Sequence, residues 1–246
     1  MGRARLGRVP QPQPPPSPAH HDVASLIDLP SLAEAGRRVP LVLAGLVLFG
    51  VGIALMVLAD LGLAPWDVFH QGVSNRTGLP IGTVVILTGL VLLALFIPLR
   101  ERIGLGTLLN AVVIGLVVDA TLAVLDPPDA MALRVLCMVV GPVVIAVGSG
   151  LYLGGGLGPG PRDGLMTGIA RRGHRIWAVR TGIEVTVLLA GIALGGSIGA
   201  GTLWFALGIG PLVHLVLPRL TFLPARPPRG GRGDRPVQPL PGNSAS

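Results

Sequence analysis

The sequence predicts an all-α membrane protein, with six transmembrane helices as two inverted three-helix repeats and disordered N- and C-terminal tails. Three observations carry that expectation. Half of the 246 residues are apolar and only 13% are charged, against roughly 25% charged in a soluble domain, so an ordinary soluble fold is excluded. The apolar residues fall into six runs of about 20 residues, the length at which an α-helix crosses a hydrocarbon core of roughly 30 Å. Two separated sequence blocks also recur at nearly the same offset, 96 and 95 residues.

Residues 1–39 are expected to be a cytoplasmic, largely disordered tail, dotted with arginine and with Pro10, Pro12 and Pro14 to Pro16. Such a segment buries too little apolar surface to offset the entropy of ordering. Within it, Ser31 and Glu34 have capping-box spacing, which suggests a short surface helix at 31–38 ending before Pro40. The spans are expected at 41–62, 80–99, 104–125, 133–156, 177–196 and 198–217, the last two joined by a very tight hairpin. Each must be helical, because lipid offers no partner for free backbone N–H and C=O groups. The first repeat then occupies 40–126 and the second 127–217; residues 218–246, rich in Pro, Gly and Arg, form a second disordered cytoplasmic tail.

All nineteen basic residues are arginine. The absence of lysine removes Walker A, Schiff-base and pyridoxal-phosphate chemistry. With the N-terminus inside, sixteen arginines fall in cytoplasmic segments and two, Arg76 and Arg134, outside, with Arg180 inside the fifth span. This asymmetry follows the positive-inside rule. It accounts for the net charge of +7 without a nucleic-acid partner. The single cysteine, Cys137, excludes an intrachain disulfide and a cysteine-rich metal site. No HExxH or GxSxG motif occurs; no enzyme activity, metal or cofactor is expected.

The duplication aligns Leu61-Gly62-Leu63-Ala64-Pro65-Trp66-Asp67 and Gly72 with Leu157-Gly158-Pro159-Gly160-Pro161-Arg162-Asp163 and Gly168. It also aligns 103–118 with 198–213, where nine of sixteen residues are identical. Three spans per copy reverse the second copy in the membrane. Inverted halves related by a pseudo-two-fold axis are common in secondary transporters, with the solute near the midplane between the halves. The same architecture also builds channels and scaffolds.

The candidate pathway residues are Asp67, Asp163, Asp119, His214, Arg180 and Glu184. Gly62 and Pro65, like Gly158 and Pro161, break the helix. Asp67 and Asp163 follow the breaks, where a carboxylate either caps a short helix or meets a ligand or proton. In the first half that helix, about 66–78, is interrupted by Asp67, His70, Gln71, Ser74 and Asn75. It is too polar to span and suits a re-entrant or interfacial position with its N-terminus at a cavity. Asp119 lies inside the third span, where an unpaired Asp costs about 2.5–3.5 kcal/mol. Its counterpart in the duplication is His214, and the two suggest a shared central pocket or, alternatively, positions near helix ends. Arg180 and Glu184 share a helix face, either as a self-neutralising pair or as a holder for an anionic solute. Trp66 and Trp177 are placed at the membrane interfaces.

These blocks resemble the YczE/YyaS/YitT group of bacterial integral membrane proteins. The resemblance rests on Gly62-Leu63-Ala64-Pro65-Trp66-Asp67, on Thr77-Gly78 with Gly82, and on Gly158-Pro159-Gly160-Pro161-Arg162-Asp163-Gly164-Leu165-Met166. It continues in Arg180-Thr181-Gly182-Ile183-Glu184 and in Ile198-Gly199-x-Gly201-Thr202, and covers about residues 41–217. It implies a multi-pass bacterial inner-membrane protein and supplies no agreed set of functional residues. The expected function is a small secondary transporter or permease for an organic solute; the alternative is a non-transporting scaffold or accessory protein of an envelope or biosynthetic complex. The expected partners are the lipid bilayer, a small-molecule solute and further copies of the chain.

Overall fold

The computed structural model describes residues 27–220. Of the expected tails, 1–39 and 218–246, residues 1–26 and 221–246 lie outside the described residues. Long helices are α1 (Leu32–Ala59), α3 (Ile81–Leu99), α4 (Leu105–Val124), α5 (Met131–Gly154), α7 (Ile176–Ala193) and α8 (Ala200–Leu220). Two short helices, α2 (Pro65–Thr77) and α6 (Pro161–Ala170), follow α1 and α5. The six long helices are each long and apolar enough to cross a membrane.

Three boundaries differ from expectation. The Ser31–Glu34 capping box forms, the Glu34 amide donating to Ser31 Oγ at 3.4 Å, but the helix it opens does not stop before Pro40. It runs on as α1 to Ala59, with Pro40 inside. The proline removes the bond to the Gly36 carbonyl and its ring crowds that carbonyl; burial of α1 between its neighbours outweighs that cost. Residues 27–28 are also ordered: β1 (Ile27–Asp28) pairs in parallel with β2 (Ile103–Gly104). A two-residue bridge is too short to leave a periodicity in the sequence. The link between α7 and α8 spans residues 194–199, turning at Gly195 with φ 93°, and is looser than a very tight hairpin.

The centre of the molecule is the crossing of α1 and α5. Gly45 faces Gly148, and Gly52 faces Gly141. A Cβ on Gly45 would lie 2.6 Å from the Gly148 carbonyl oxygen, and one on Gly52 would lie 2.8 Å from that of Gly141. The two helices are therefore antiparallel and touch through their backbones. Gly141 and Gly148 are the 96-residue counterparts of Gly45 and Gly52, so the contact maps onto itself when the halves are exchanged.

The same reciprocity governs the helix ends. Arg38 donates to the Gly155 carbonyl at 3.0 Å, while its counterpart Arg134 donates to the Ala59 carbonyl at 2.8 Å. Each guanidinium satisfies a terminal carbonyl of the other half's first helix, where the helix dipole favours a cation. Further along, Arg76 donates to Leu194 O at 3.2 Å, and its counterpart Arg172 donates to Pro98 O at 2.9 Å. The Gly201 amide donates to Leu61 O, and the Gly106 amide to Leu157 O, both at 2.8 Å. Thus each break motif docks on the Gly-x-Gly-Thr block of the opposite half.

These bonds sort the helix termini into two ends of the bundle. One end gathers residues 59–62, Arg76, Arg134 and 194–201. The other gathers 27–28, Arg38, 98–107, 155–158 and Arg172. The main core, including Leu46, Ile53, Met56, Val118 and Ile145, lies between them.

Candidate functional site

Gly62 and Gly158 have φ of 106° and 117°, a region that favours glycine. They turn the chain back into the bundle. Pro65 and Pro161 then occupy the first turns of α2 and α6, whose N-cap residues are Ala64 and Gly160. Proline suits that position because its missing N–H has no intrahelical partner there. No side chain caps either helix N-terminus. Asp67 and Asp163 lie three positions past the N-caps, in the first turn itself, and their carboxylates reach elsewhere.

The two N-termini meet at one cavity of about 210 Å³, to which all eight described helices contribute lining residues. Its walls are largely apolar: Phe49, Val85, Leu92, Ile114, Ile145, Phe205 and Ile209. Its polar residues are Trp66, His70, Thr88, Asn110, Ser149, Tyr152, Arg162, Asp163, Arg180 and Glu184.

Asp67 is buried behind this lining, with a relative exposure of 2%. His70 Nδ1 lies 3.2 Å from Asp67 Oδ1, and the Arg162 guanidinium lies 3.6 Å from the same oxygen. Burial lowers the His70 pKa, and nearby Arg162 adds to that; the hydrogen bond and charge of Asp67 oppose it without prevailing. The neutral ring donates from Nδ1 to Asp67 and leaves a lone pair on Nε2. Arg162 also stacks over the Trp66 ring, 5.1 Å from its centroid.

On the other side, the Gly160 amide donates to Tyr152 Oη at 2.9 Å, and that hydroxyl donates to Asp163 Oδ2 at 3.3 Å. Arg180 Nε donates to Glu184 Oε1 at 3.0 Å, so the pair is formed at the cavity wall.

Of the residues singled out from sequence, the fold therefore brings Asp67, Asp163, Arg180 and Glu184 together. Asp163, Arg180 and Glu184 line the cavity, and Asp67 lies behind the lining against His70 and Arg162; Asp119 and His214 do not line it. Asp119 instead accepts from the Gly82 amide at 2.6 Å and from Thr83 Oγ1 at 3.0 Å. It caps α3 from across the helix pair. His214 is exposed on α8.

Trp66 is 7% exposed and turned in to the cavity, whereas Trp177 is 63% exposed. Arg162, counted by charge pattern as a cytoplasmic flank, is at the cavity. Sequence reasoning gave no role in the site to Trp66, His70, Tyr152 or Arg162. One signal was present. Trp66 and Arg162 are the same position in the duplication, and the two side chains meet, the guanidinium lying over the indole ring. Among the described residues, no cluster of three or more His, Cys, Asp or Glu is placed to hold a metal ion.

Comparison with known proteins places this architecture. Residues 36–218 match a family of unknown function, DUF6198. The chain belongs to DUF6198. It is 40% identical over 192 residues to an uncharacterized protein of Haemophilus influenzae, covering 78% of this chain and 88% of the relative. It is 35% identical over 180 residues to the uncharacterized membrane protein YczE of Bacillus subtilis, covering 72% and 83%. It is 29% identical over 180 residues to the uncharacterized protein YyaS of the same organism, covering 71% and 89%. No solved structure matches the chain. The YczE/YyaS resemblance therefore holds, and with its six apolar helices this DUF6198 member is a multi-pass membrane protein.

Proposed function

We propose that this DUF6198 chain is a small secondary transporter or permease for an organic solute, built as two inverted halves. The observation that carries the reading is the meeting of two broken-helix N-termini, one from each half, at a single cavity. Discontinuous helices facing a site at a repeat interface are how many transporters offer backbone donors to a solute in lipid. The antiparallel crossing of α1 and α5 and the reciprocal bonds at the helix ends support the inversion.

The bundle ends support an orientation. Arg37, Arg38, Arg100, Arg102, Arg171, Arg172 and Arg175 belong to the end that holds residues 27–28, and Arg76 and Arg134 to the other. The positive-inside rule assigns the first end, and with it both termini, to the cytoplasm of a bacterial inner membrane.

The test is flux in proteoliposomes loaded with a panel of small amides, polyols, carboxylates and amines. The expected result is saturable uptake of one class by the native protein, falling about tenfold or more in Asp67→Asn and Asp163→Asn, because each carboxylate holds a cavity group in place. Unchanged flux in both variants removes these aspartates from the mechanism. No accelerated flux of any class by folded native protein overturns the transport reading.

A further inference from the structure

Two buried side-chain nitrogens among the described residues have no hydrogen-bond partner: Trp66 Nε1 and His70 Nε2. Leaving such an atom unpaired costs about 1–3 kcal/mol, and native proteins rarely leave one without a reason. Here both belong to the same helix, α2, and both side chains line the cavity. Their ring centroids are 6.4 Å apart with planes inclined by 38°; neither nitrogen is open to a water-sized sphere in this conformation, so a solute group reaches them only where the two side chains part.

The two atoms differ in sense. The indole Nε1–H is a donor only. His70 Nε2 is an acceptor when Nδ1–H is committed to Asp67, 3.2 Å away. A group that satisfies both must therefore present an acceptor beside a donor.

Charge narrows the choice further. Around this end of the cavity stand Arg162 and Arg180 against Asp67, Asp163 and Glu184. The N-termini of α2 and α6, each equivalent to about half a positive charge, offset the one carboxylate left over, so an added anion or cation would find no counter-charge. An uncharged group needs none.

We propose that Trp66 and His70 form a two-point subsite for an uncharged solute group pairing an acceptor with a donor, as a carboxamide or a hydroxyl does. The cavity volume of about 210 Å³ limits the solute to a small one. The inference deepens the transport reading and rests on it for the role of the cavity, but binding is measured without flux.

The experiment uses the full chain, labelled with ¹⁵N at its three tryptophan indoles and held in lipid nanodiscs. The Trp66 resonance is assigned as the one lost in Trp66→Phe. Acetamide, acetate and methylammonium, matched in size, are titrated in turn. Acetamide is expected to move the Trp66 indole resonance saturably while those of Trp177 and Trp204 stay put. In His70→Phe, with the other two resonances unchanged as evidence of folding, the apparent affinity for acetamide is expected to fall about tenfold. A saturable shift with acetate or methylammonium instead of acetamide overturns the subsite, as does the absence of a saturable shift with any probe. An acetamide shift with no amide flux in proteoliposomes leaves the subsite standing and removes the transport reading. Flux without the shift does the reverse.

Discussion

The ionisable side chains inside the spans divide by what they bind. Asp119 is a buried-end helix cap: its two carboxylate oxygens take the Gly82 amide and the Thr83 hydroxyl. That solves two problems at once, an unpaired charge in lipid and an orphan donor at the start of α3. Asp119→Ala should lower stability by about 0.5–2 kcal/mol, read as a lower midpoint of thermal unfolding in detergent. His214→Ala, which removes an exposed side chain, should stay within about 0.5 kcal/mol of native. Equal losses in the two would return Asp119 and His214 to a shared role. The sequence marked Asp119 as needing a partner, because its cost at that depth is a property of the residue. It did not reveal the partner, which lies 37 residues away and is a backbone group that any residue carries. The arginines illustrate the same limit. Their tally at the two faces was legible, but nothing local distinguishes Arg162, at the cavity, from Arg172, which caps α3.

Among the elements, the six spans were legible because length and apolarity alone decide whether a helix can cross a bilayer. The start of α1 was not, since Arg37, Arg38 and Pro40 imitate a helix boundary; Arg38 is instead buried against the end of α5. The α1–α5 crossing was hidden for another reason. Four glycines spaced seven apart in two runs of Leu and Val look like composition until the helices are laid together. A Cβ on Gly45 meets Gly148 O and Tyr152 N at 2.6 Å, and one on Gly148 meets Gly45 O at 2.6 Å. These neighbours are backbone and cannot rotate away, so the helices must part. Gly45→Ala and Gly148→Ala should each cost about 1–3 kcal/mol. The double variant should cost less than their sum, because one separation relieves both. Gly182→Ala is the control: nothing lies within 4 Å of its new Cβ, and helix propensity favours Ala over Gly by up to ~1 kcal/mol. If it destabilises as much as Gly45→Ala, close approach is not the cause. The two halves also differ as elements. Gly82 and Gly115 meet between α3 and α4, whereas at the equivalent positions Trp177 is exposed and Gly210 has nothing within 4 Å. Helices α7 and α8 therefore do not close as α3 and α4 do, and they leave a broad apolar surface for lipid.

At the scale of the whole molecule, the duplication was legible only where identity is dense, in the break motif and the Gly-x-Gly-Thr block. The fold adds Arg38 with Arg134, Gly45 with Gly141, Gly52 with Gly148, and Arg76 with Arg172, isolated identities too sparse to notice along the chain. What they have in common is geometric. Each makes, in its own half, the contact its counterpart makes in the other. If such reciprocity reflects two copies facing each other across an axis, the antiparallel crossing of α1 and α5 would put that axis in the plane of the bilayer. Asn75, near the end of α2, and His174, just past α6, should then lie on opposite membrane faces; both are exposed. With Cys137, the only native cysteine, replaced by Ser, cysteines placed at Asn75 and at His174 can be probed singly with a membrane-impermeant maleimide. In intact cells stripped of their outer layer, Asn75→Cys should react and His174→Cys should not; in inside-out vesicles the pattern should invert. Reaction of both from the same side would mean that the halves run the same way. The two break motifs would then no longer approach the cavity from opposite faces, and exchange of conformation between equivalent halves would have no structural basis.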